Sequence, residues 1–205
     1  PNIRVIPNPL PFVSEETSPC TSRKVIAVGR YDFQKNFAKL LDLWACIAPA
    51  YPDWTLEIYG DGALRPELEQ QVNRLGLSSS VILAKPTHQM KEVYQSASIY
   101  AMTSRYEGLP MVLIEAQHMG LPIVSFACPC GPKDVLHPGE DGYLISLGDD
   151  DGFLMALRQL MDSESERVRM GANARKASAR YEVDAVMRQW LDLFSTLVPN
   201  KSTAV

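Results

Sequence analysis

The chain has 205 residues, enough for one domain with a full core and too few for two catalytic domains of ordinary size. Apolar residues make up 46% of it and charged residues 21%, values close to the globular average that argue against disordered, collagen-like and coiled-coil chains. The formal net charge is −4 and no basic block occurs, so we expect no nucleic-acid partner.

The cysteines and the hydropathy pattern are typical of a cytoplasmic protein. Four cysteines occur without a CxxC motif or a histidine at zinc-finger spacing, so neither a disulfide framework nor a structural metal site is expected. No apolar run reaches the roughly 18 residues that span a bilayer, and the N-terminus lacks the layout of a signal peptide. We therefore predict a soluble chain with a cytoplasmic location.

The first stretch of the chain is rich in proline. Prolines stand at positions 1, 7, 9, 11 and 19, and only short apolar pieces separate them. Residues 1–22 are therefore predicted to be an interdomain linker. Because the chain starts with proline rather than methionine, we also expect it to be part of a longer protein.

From residue 23 onward, short β-rich runs alternate with longer helical stretches. Strands are predicted at residues 24–28, 54–59, 81–83, 98–103 and 122–127, with a sixth at 143–145. Helices are predicted at residues 36–50, 64–75, 88–96, 110–119, 149–162, 164–180 and 183–198. Apolar strands that alternate with helices, joined by right-handed crossovers, predict an α/β fold with a Rossmann-like, doubly wound, mostly parallel sheet and C-terminal helices.

The loop after the first predicted strand carries two cations at the start of a helix. Gly29 frees the backbone there, and Arg30 and Lys35 follow, five positions apart. Ligands of such sheets bind beyond the carboxyl ends of the strands, and this pair suits a diphosphate, because arginine grips phosphate oxygens with two donors. Two solvated surface cations explain the spacing equally well.

The loop after the fourth predicted strand carries the more informative pattern. Pro110 marks a helix start, so the amides of residues 109–112 can face an anion or a sugar oxygen. The helix is apolar except for Glu115, and Glu107 precedes it by about two turns, so both carboxylates can face one cleft. Taken singly, each has a more ordinary explanation, with Glu115 paired to a buried arginine and Glu107 exposed in a loop.

Other motifs have plainer explanations. The Gly-Asp-Gly segment at residues 60–62 is predicted to be an ordinary turn, residues 128–133 a rigid turn, and the aspartates at 149–151 a helix cap. The loop at residues 84–88 either borders a nucleobase or simply connects two elements. No GxSxG or Walker A motif occurs, so hydrolase and P-loop functions are not expected.

Six motifs follow one another in a specific order. They are VIPNPLPF (residues 5–12), GRYDFQKNF (29–37), YGDG (59–62), SRYEGLPMVLIEA (104–116), ACPCGPKDVL (127–136) and EDGYLI (140–145). This set resembles the C-terminal, donor-binding domain of GT-B glycosyltransferases of family 4, the glycosyl transferases group 1, which are retaining enzymes that use nucleotide sugars. The fourth motif is similar to the family's E-x7-E signature, although the family often reads EGFGLP or EGFP where this chain reads EGLP.

The resemblance implies a role for each candidate residue. Arg30 and Lys35 would bind the donor diphosphate and stabilise the leaving group in place of a metal ion. Glu107, with the amides of residues 108–111, would hold the transferred sugar, and Glu115 would bind the ribose hydroxyls. The other implied donor-binding residues are Gly29, Gly108, Leu109, Pro110, Met111, Val112, Lys85, Pro86 and Met90. No metal or other cofactor is expected.

The resemblance also implies a reaction. A hexosyl group would pass from a nucleotide sugar, with a UDP-sugar favoured, to a polysaccharide or lipid-linked acceptor with retention of configuration. Residues 23–182 would bind the nucleotide sugar, and residues 183–200 would form a helix that packs toward an N-terminal Rossmann domain absent from this chain. The isolated chain is expected to bind nucleotide weakly and to transfer nothing, because half the site is missing. Peripheral association with the inner face of the membrane fits lipid-linked acceptors.

Two other functions remain open. A nucleotide-sugar epimerase or phosphorylase on the same two-domain plan would need its acid and base from histidines or carboxylates elsewhere. A non-catalytic nucleotide-binding module would keep the cleft without turnover. Substitution of Lys35 and Glu107 separates a transferase from the module, because it abolishes activity only in the transferase.

Overall fold

Six strands build one sheet in the computed structural model, which describes residues 3–197. The strands are β1 Lys24–Val28, β2 Thr55–Tyr59, β3 Val81–Ala84, β4 Ile99–Met102, β5 Ile123–Phe126 and β6 Gly142–Ile145. Their order is β3-β2-β1-β4-β5-β6, and every pair of neighbours among them is parallel. The predicted α/β, Rossmann-like fold is confirmed, including its sixth strand.

Eight α-helices flank the strands in the described part of the chain. They are α1 Phe37–Ile47, α2 Arg65–Arg74, α3 Met90–Ser96, α4 Met111–His118, α5 Pro132–Val135, α6 Asp150–Asp162, α7 Glu164–Ser178 and α8 Val183–Leu197. The helix α5 lies where the sequence predicts a rigid turn, because a single helical turn is too short to show a 3.6-residue period. Among the described helices, none has the length and apolar character needed to cross a membrane.

The sheet separates two cores. Along β1, Val25 and Ala27 belong to the core that contains residues of α1, α2 and α6, whereas Ile26 belongs to the core with α3 and α4. All residues of β4 and β5 are buried. Successive side chains of a strand point to opposite faces, so burial on both faces explains why these strands read as continuous apolar runs.

The strand order reverses beside β1, which pairs with β2 on one side and with β4 on the other. The helix α1 that follows β1 packs in one core, and the helix α4 that follows β4 packs in the other. The loops that connect each strand to its helix therefore diverge at the carboxyl edge of the sheet. Open α/β sheets bind their ligands in the crevice at such a point.

The segment before β1 has neither helix nor strand over its described positions 3–23. It nevertheless packs on the domain, because the Leu10 amide donates to the Tyr181 carbonyl and the Ser18 amide to the Met119 carbonyl, both at 2.8 Å. Leu10 is itself buried. Residues 1 and 2 of the predicted linker lie outside the described residues.

Helix α8 presents most of its apolar side chains to solvent. Val186 is buried, whereas Met187, Leu191 and Phe194 are between 45% and 63% exposed. The predicted helix end at residue 198 and the predicted domain limit at residue 200 lie outside the described residues. The described part of α8 thus contributes little to either core and leaves an apolar face without a neighbour in the described residues.

Candidate functional site

The loop between β1 and α1 holds Lys35 close to the backbone. A Cβ at Gly29 would lie only 2.9 Å from the Cε of Lys35, so the glycine leaves room for the lysine stem. Asp32 accepts the Lys35 amide at 3.0 Å. Asn36 follows in the left-handed region, with φ 54°, and its side chain accepts a bond from Arg105 at 2.9 Å. The loop is therefore tied to the residues that follow β4.

Lys35 and Glu107 form an ion pair across the crevice. The Lys35 Nζ lies 2.7 Å from Glu107 Oε1, and the two side chains are 14% and 6% exposed. Gln34 donates to the other carboxylate oxygen at 3.4 Å and to the Tyr106 carbonyl at 3.1 Å. The carboxylate thus has a cation at one oxygen and an amide at the other, in a largely buried setting that strengthens both contacts.

The loop after β5 supports the backbone around Glu107. The Glu107 amide donates to the Pro129 carbonyl at 3.1 Å. Gly131 has φ 74°, and a Cβ there would lie 2.3 Å from the Gly108 carbonyl oxygen and 2.5 Å from Pro110 Cδ. Only a glycine allows these two loops to approach so closely.

Helix α4 begins one residue later than the sequence predicts. Pro110 is its N-cap and Met111 its first residue, and the first helical bond runs from the Leu113 amide to the Pro110 carbonyl at 2.9 Å. The amides of Met111 and Val112 in this first turn have no acceptor within the helix, and the positive end of the helix dipole lies there. This turn can receive an anion or a sugar oxygen.

Glu115 lies farther along α4 and is half-buried. Tyr94 of α3 donates its hydroxyl to Glu115 Oε2 at 2.8 Å, so the partner of this carboxylate is a tyrosine rather than the arginine considered above. Burial raises the pKa of Glu115, and the hydrogen bond from Tyr94 opposes that rise. Burial raises the pKa of Tyr100, and the charges of Glu115 and Glu107 add smaller effects in the same direction.

The charged groups of the two cations in the β1–α1 loop pair with different carboxylates. Arg30 is 77% exposed at its side chain, and its guanidinium lies 3.4 Å from Asp32, whereas Lys35 is paired with Glu107. The structure therefore brings together Lys35 and Glu107, while Arg30 stands at the edge of the crevice beside Gly29. Long exposed side chains of this kind can swing toward a ligand at small energetic cost.

A pocket of about 350 Å³ opens at the carboxyl ends of β1, β2 and β3. It is lined by Val28, Gly29, Arg30, Tyr59, Gly60, Asp61, Pro86, Thr87 and Met90. Four of these are predicted donor-binding residues. Lys85 is exposed beside the pocket and helps to lower the pKa of Asp61, after the larger effects of the Gly62 amide and Arg65.

Gly108 and Leu109 line a different pocket, of about 530 Å³, together with Asn8, Asp134 and Tyr181 among others. Six of the thirteen predicted site residues thus line one pocket or the other, and the remaining seven line neither. Lys35, Glu107 and Glu115 are absent from the described linings of both.

The Gly-Asp-Gly segment at residues 60–62 is more than the ordinary turn that the sequence predicts. A Cβ at Gly60 would lie 1.8 Å from the Gly29 carbonyl oxygen, and one at Gly62 would lie 2.5 Å from the Tyr31 carbonyl oxygen. The two glycines therefore let the loop after β2 press against the loop after β1. Gly29 and Gly60, which meet in one of these close approaches, both line the 350 Å³ pocket.

Three residues that contact the predicted site are not among those that the sequence predicts. Gln34 is adjacent to Lys35 in the motif GRYDFQKNF, and this position was a usable signal. Arg105 likewise lies within SRYEGLPMVLIEA. Tyr94 gave no signal, because an aromatic residue at helical spacing reads as an ordinary core residue.

Two further expectations concern metal ligands and helix capping. The described residues hold no group of three or more His, Cys, Asp or Glu side chains placed to bind a metal ion. Burial, with a smaller effect of Glu107, raises the pKa of the Cys128 thiol to about 11, so this thiol stays protonated at neutral pH. The predicted cap is confirmed, since Asp149 accepts the Gly152 amide at 2.9 Å.

The model of the family described as glycosyl transferases group 1 matches residues 13–177. The chain belongs to this family. The amylovoran biosynthesis glycosyltransferase AmsD of Erwinia amylovora is 36% identical over 201 residues, which are 95% of this chain and 56% of the relative. The chain thus spans about half the length of the curated relatives it matches.

Two other similarities extend the comparison. A Campylobacter jejuni enzyme, named as a GalNAc-alpha-(1->4)-GalNAc-alpha-(1->3)-diNAcBac-PP-undecaprenol alpha-1,4-N-acetyl-D-galactosaminyltransferase, is 28% identical across 94% of this chain and 54% of its own length. The structure of a TarM mutant from S. aureus, in complex with fondaparinux, alpha-GlcNAc-glycerol and UDP, superposes with a TM-score of 0.86. That match covers 95% of this chain and 40% of the other at 22% identity. The fold is that of the C-terminal domain of a GT-B glycosyltransferase.

Proposed function

We propose that this chain is the donor-binding domain of a family 4, retaining glycosyltransferase. Its reaction is the transfer of a hexosyl group from a nucleotide sugar, with a UDP-sugar favoured, to a polysaccharide or lipid-linked acceptor. One observation carries the proposal: the Lys35–Glu107 ion pair lies where the strand order reverses. Glu107 is also four residues before Met111, the first residue of α4, and the amides of this first turn have no acceptor within the helix.

The donor diphosphate binds between the β1–α1 loop and the start of α4. The Lys35 ammonium and the Met111 and Val112 amides provide positive charge and donors on the two sides of this crevice. Arg30 swings in from its exposed position and adds two parallel donors. Negative charge grows on the diphosphate as the glycosidic bond breaks, so these groups stabilise the transition state more than the bound donor. They take the place of a metal ion.

The transferred sugar binds at Glu107 and the amides of residues 108–111. A carboxylate whose two oxygens already accept from Lys35 and Gln34 still has lone pairs for sugar hydroxyls. The contact between Glu107 and Lys35 links the position where the sugar binds to the position where the diphosphate binds. Retention then follows a front-face displacement: the bond from the anomeric carbon to the phosphate oxygen breaks, the acceptor oxygen bonds to that carbon on the same face, and the departing phosphate takes the acceptor's proton.

The nucleoside occupies the other part of the crevice. Glu115 binds the ribose hydroxyls, and the 350 Å³ pocket beside Pro86 and Met90 receives the base. Its largely apolar lining suits the faces of a flat ring. UDP in the S. aureus neighbour supports the choice of nucleotide.

A second domain completes the enzyme on the N-terminal side. The chain spans only about half the length of its relatives, which leaves room for a second domain. That domain would cover the apolar face of α8 formed by Met187, Leu191 and Phe194. That domain supplies the acceptor site. The names of the relatives support a polysaccharide or an undecaprenol-linked acceptor, and hence a cytoplasmic enzyme at the inner face of the membrane.

Calorimetric titration of the 205-residue chain with UDP and with GDP tests the donor half of this proposal. UDP should bind more tightly than GDP, with a weak affinity because the second domain is absent. A radiolabelled transfer assay with the complete protein and several nucleotide sugars tests the reaction. No heat and no NMR shift change at millimolar UDP or GDP would count against the proposal.

A further inference from the structure

We propose that Tyr94 is a positioning residue that aims the Glu115 carboxylate at the ribose hydroxyls of the donor. The inference rests on the proposed function, since that function gives Glu115 its ligand. Tyr94 itself touches no substrate in this proposal. It acts through the bond that it donates to Glu115 Oε2 at 2.8 Å.

The tyrosine is held firmly enough to impose an orientation. Tyr94 is fully buried, and its ring packs against Tyr100 with centroids 6.1 Å apart and against Phe12 at 6.5 Å. Tyr100 is in turn fixed to β1, because its hydroxyl accepts the Val28 amide and donates to the Val28 carbonyl, both at 3.3 Å. The hydroxyl of Tyr94 therefore has a fixed place relative to the carboxyl edge of β1.

This fixed donor selects one rotation of the Glu115 carboxylate. Oε2 is committed to Tyr94, and among the described side chains no other group hydrogen-bonds to this carboxylate. Oε1 and the second lone pair of Oε2 are left to accept from neighbouring hydroxyls. A vicinal diol offers two donors about as far apart as two carboxylate oxygens, so a ribose matches a carboxylate fixed in this way.

The same bond favours the ionised form of Glu115. Burial favours the protonated acid and raises its pKa, whereas a donor aimed at the carboxylate favours the charged form. The titratable groups that face Glu115 are Tyr94 from α3 and Tyr100 from β4, with Glu107 acting on Tyr100 as well. Without the Tyr94 hydroxyl, Glu115 would take up its proton at a higher pH and lose its charge toward the ribose.

The test is calorimetric titration of the complete protein with UDP between about pH 5 and pH 8. Tyr94→Phe should weaken UDP binding about threefold to tenfold at neutral pH, the range expected for one lost hydrogen bond of ordinary strength, because the tyrosine acts on the ligand only through Glu115. As the pH is lowered, UDP affinity should also begin to fall at a higher pH in this variant than in the wild type. Tyr51→Phe is the matched control, because Tyr51 likewise donates to a carboxylate, that of Asp162, far from the site. It should behave as the wild type.

Two more variants separate the possible failures. If Glu115→Gln leaves UDP affinity unchanged, the ribose role of Glu115 in the proposed function is wrong. If Glu115→Gln weakens binding but Tyr94→Phe does not, the positioning role alone is wrong. The double variant should bind no more weakly than Glu115→Gln, because Tyr94 acts through that carboxylate, and additive losses would contradict this.

A change that keeps both the ring and the hydroxyl tests the proposal if Tyr94→Phe does not fold. Incorporation of 3-fluorotyrosine at position 94 makes the hydroxyl a stronger donor at nearly the same volume. The acid fall of UDP affinity should then move to a lower pH than in the unmodified protein. An unchanged pH profile would overturn the proposal even if thermal unfolding showed the phenylalanine variant to be misfolded.

Discussion

The ammonium of Lys35 lies 2.7 Å from a carboxylate oxygen of Glu107, and this contact joins the loop after β1 to the loop after β4. Both side chains are largely buried, so removal of one charge leaves the charge of its partner buried and uncompensated. In the proposed enzyme the pair stands between the leaving diphosphate and the transferred sugar. Substitutions of the two partners should therefore differ in which step they impair.

Lys35→Ala should abolish most transfer in the complete protein. Loss of a charge that stabilises the leaving group is expected to lower kcat about 100-fold or more, and UDP affinity should fall as well. Lys39→Ala is the matched control, since Lys39 lies in the first turn of α1 and also forms an ion pair at 2.7 Å, but with Asp150 rather than with Glu107. Steady-state kinetics and UDP titration check both. Equal losses in the two variants would remove any special role of Lys35.

Glu107→Gln should separate sugar binding from nucleotide binding. The amide keeps the volume and one acceptor for Lys35, so UDP affinity should stay within about threefold of the wild type. Transfer should still fall at least about 100-fold, because the sugar loses a charged acceptor that positions it. Glu166→Gln, which disturbs the pair with Arg169 and a hydrogen bond from Tyr143, is the control. A parallel loss of UDP affinity would place Glu107 at the nucleotide instead.

Gly131→Ala should damage the site through the backbone. Its Cβ would press on the Gly108 carbonyl at 2.3 Å and push the sugar-binding loop away. Gly139→Ala is the control, because Gly139 also has a left-handed φ, 82°, but no atom within 4 Å of the added Cβ. We expect about 1 kcal/mol of destabilisation from strain in the control and about 1 to 3 kcal/mol more at position 131. Urea unfolding and transfer assays of both variants measure these effects.

The elements of this fold were readable from the sequence, whereas the contacts across the crevice were not. Strands β4 and β5 are buried on both faces, so their apolar runs stand out, and the motif order carried the resemblance. The pairing of Lys35 with Glu107 joins residues 72 positions apart, and the bond from Tyr94 to Glu115 joins two helices. Such pairs depend on the way the loops and helices pack, which no local period records.

His118 should make the stability of the domain depend on pH. The side chain is fully buried on α4, its Nε2 accepts the Ser14 amide at 3.1 Å, and burial, with smaller effects of Arg175 and Lys91, lowers its pKa to about 4. The ordinary histidine value is about 6.5, so between pH 6.5 and 4 the unfolded chain binds more protons than the folded one. Stability is then fully present above pH 6.5 and falls as the pH drops through this window.

The histidine contribution can be isolated by comparison of variants. Between pH 7 and pH 5, the wild type should lose about 2 kcal/mol of unfolding free energy through His118. Glu115 acts in the opposite direction, because its raised pKa makes the folded state bind the extra proton. His118→Gln removes only the histidine effect and should flatten the fall, whereas His88→Gln, at an exposed position, should leave it unchanged. Urea unfolding of the 205-residue chain at both pH values measures this, and an equal fall in all three proteins would contradict it.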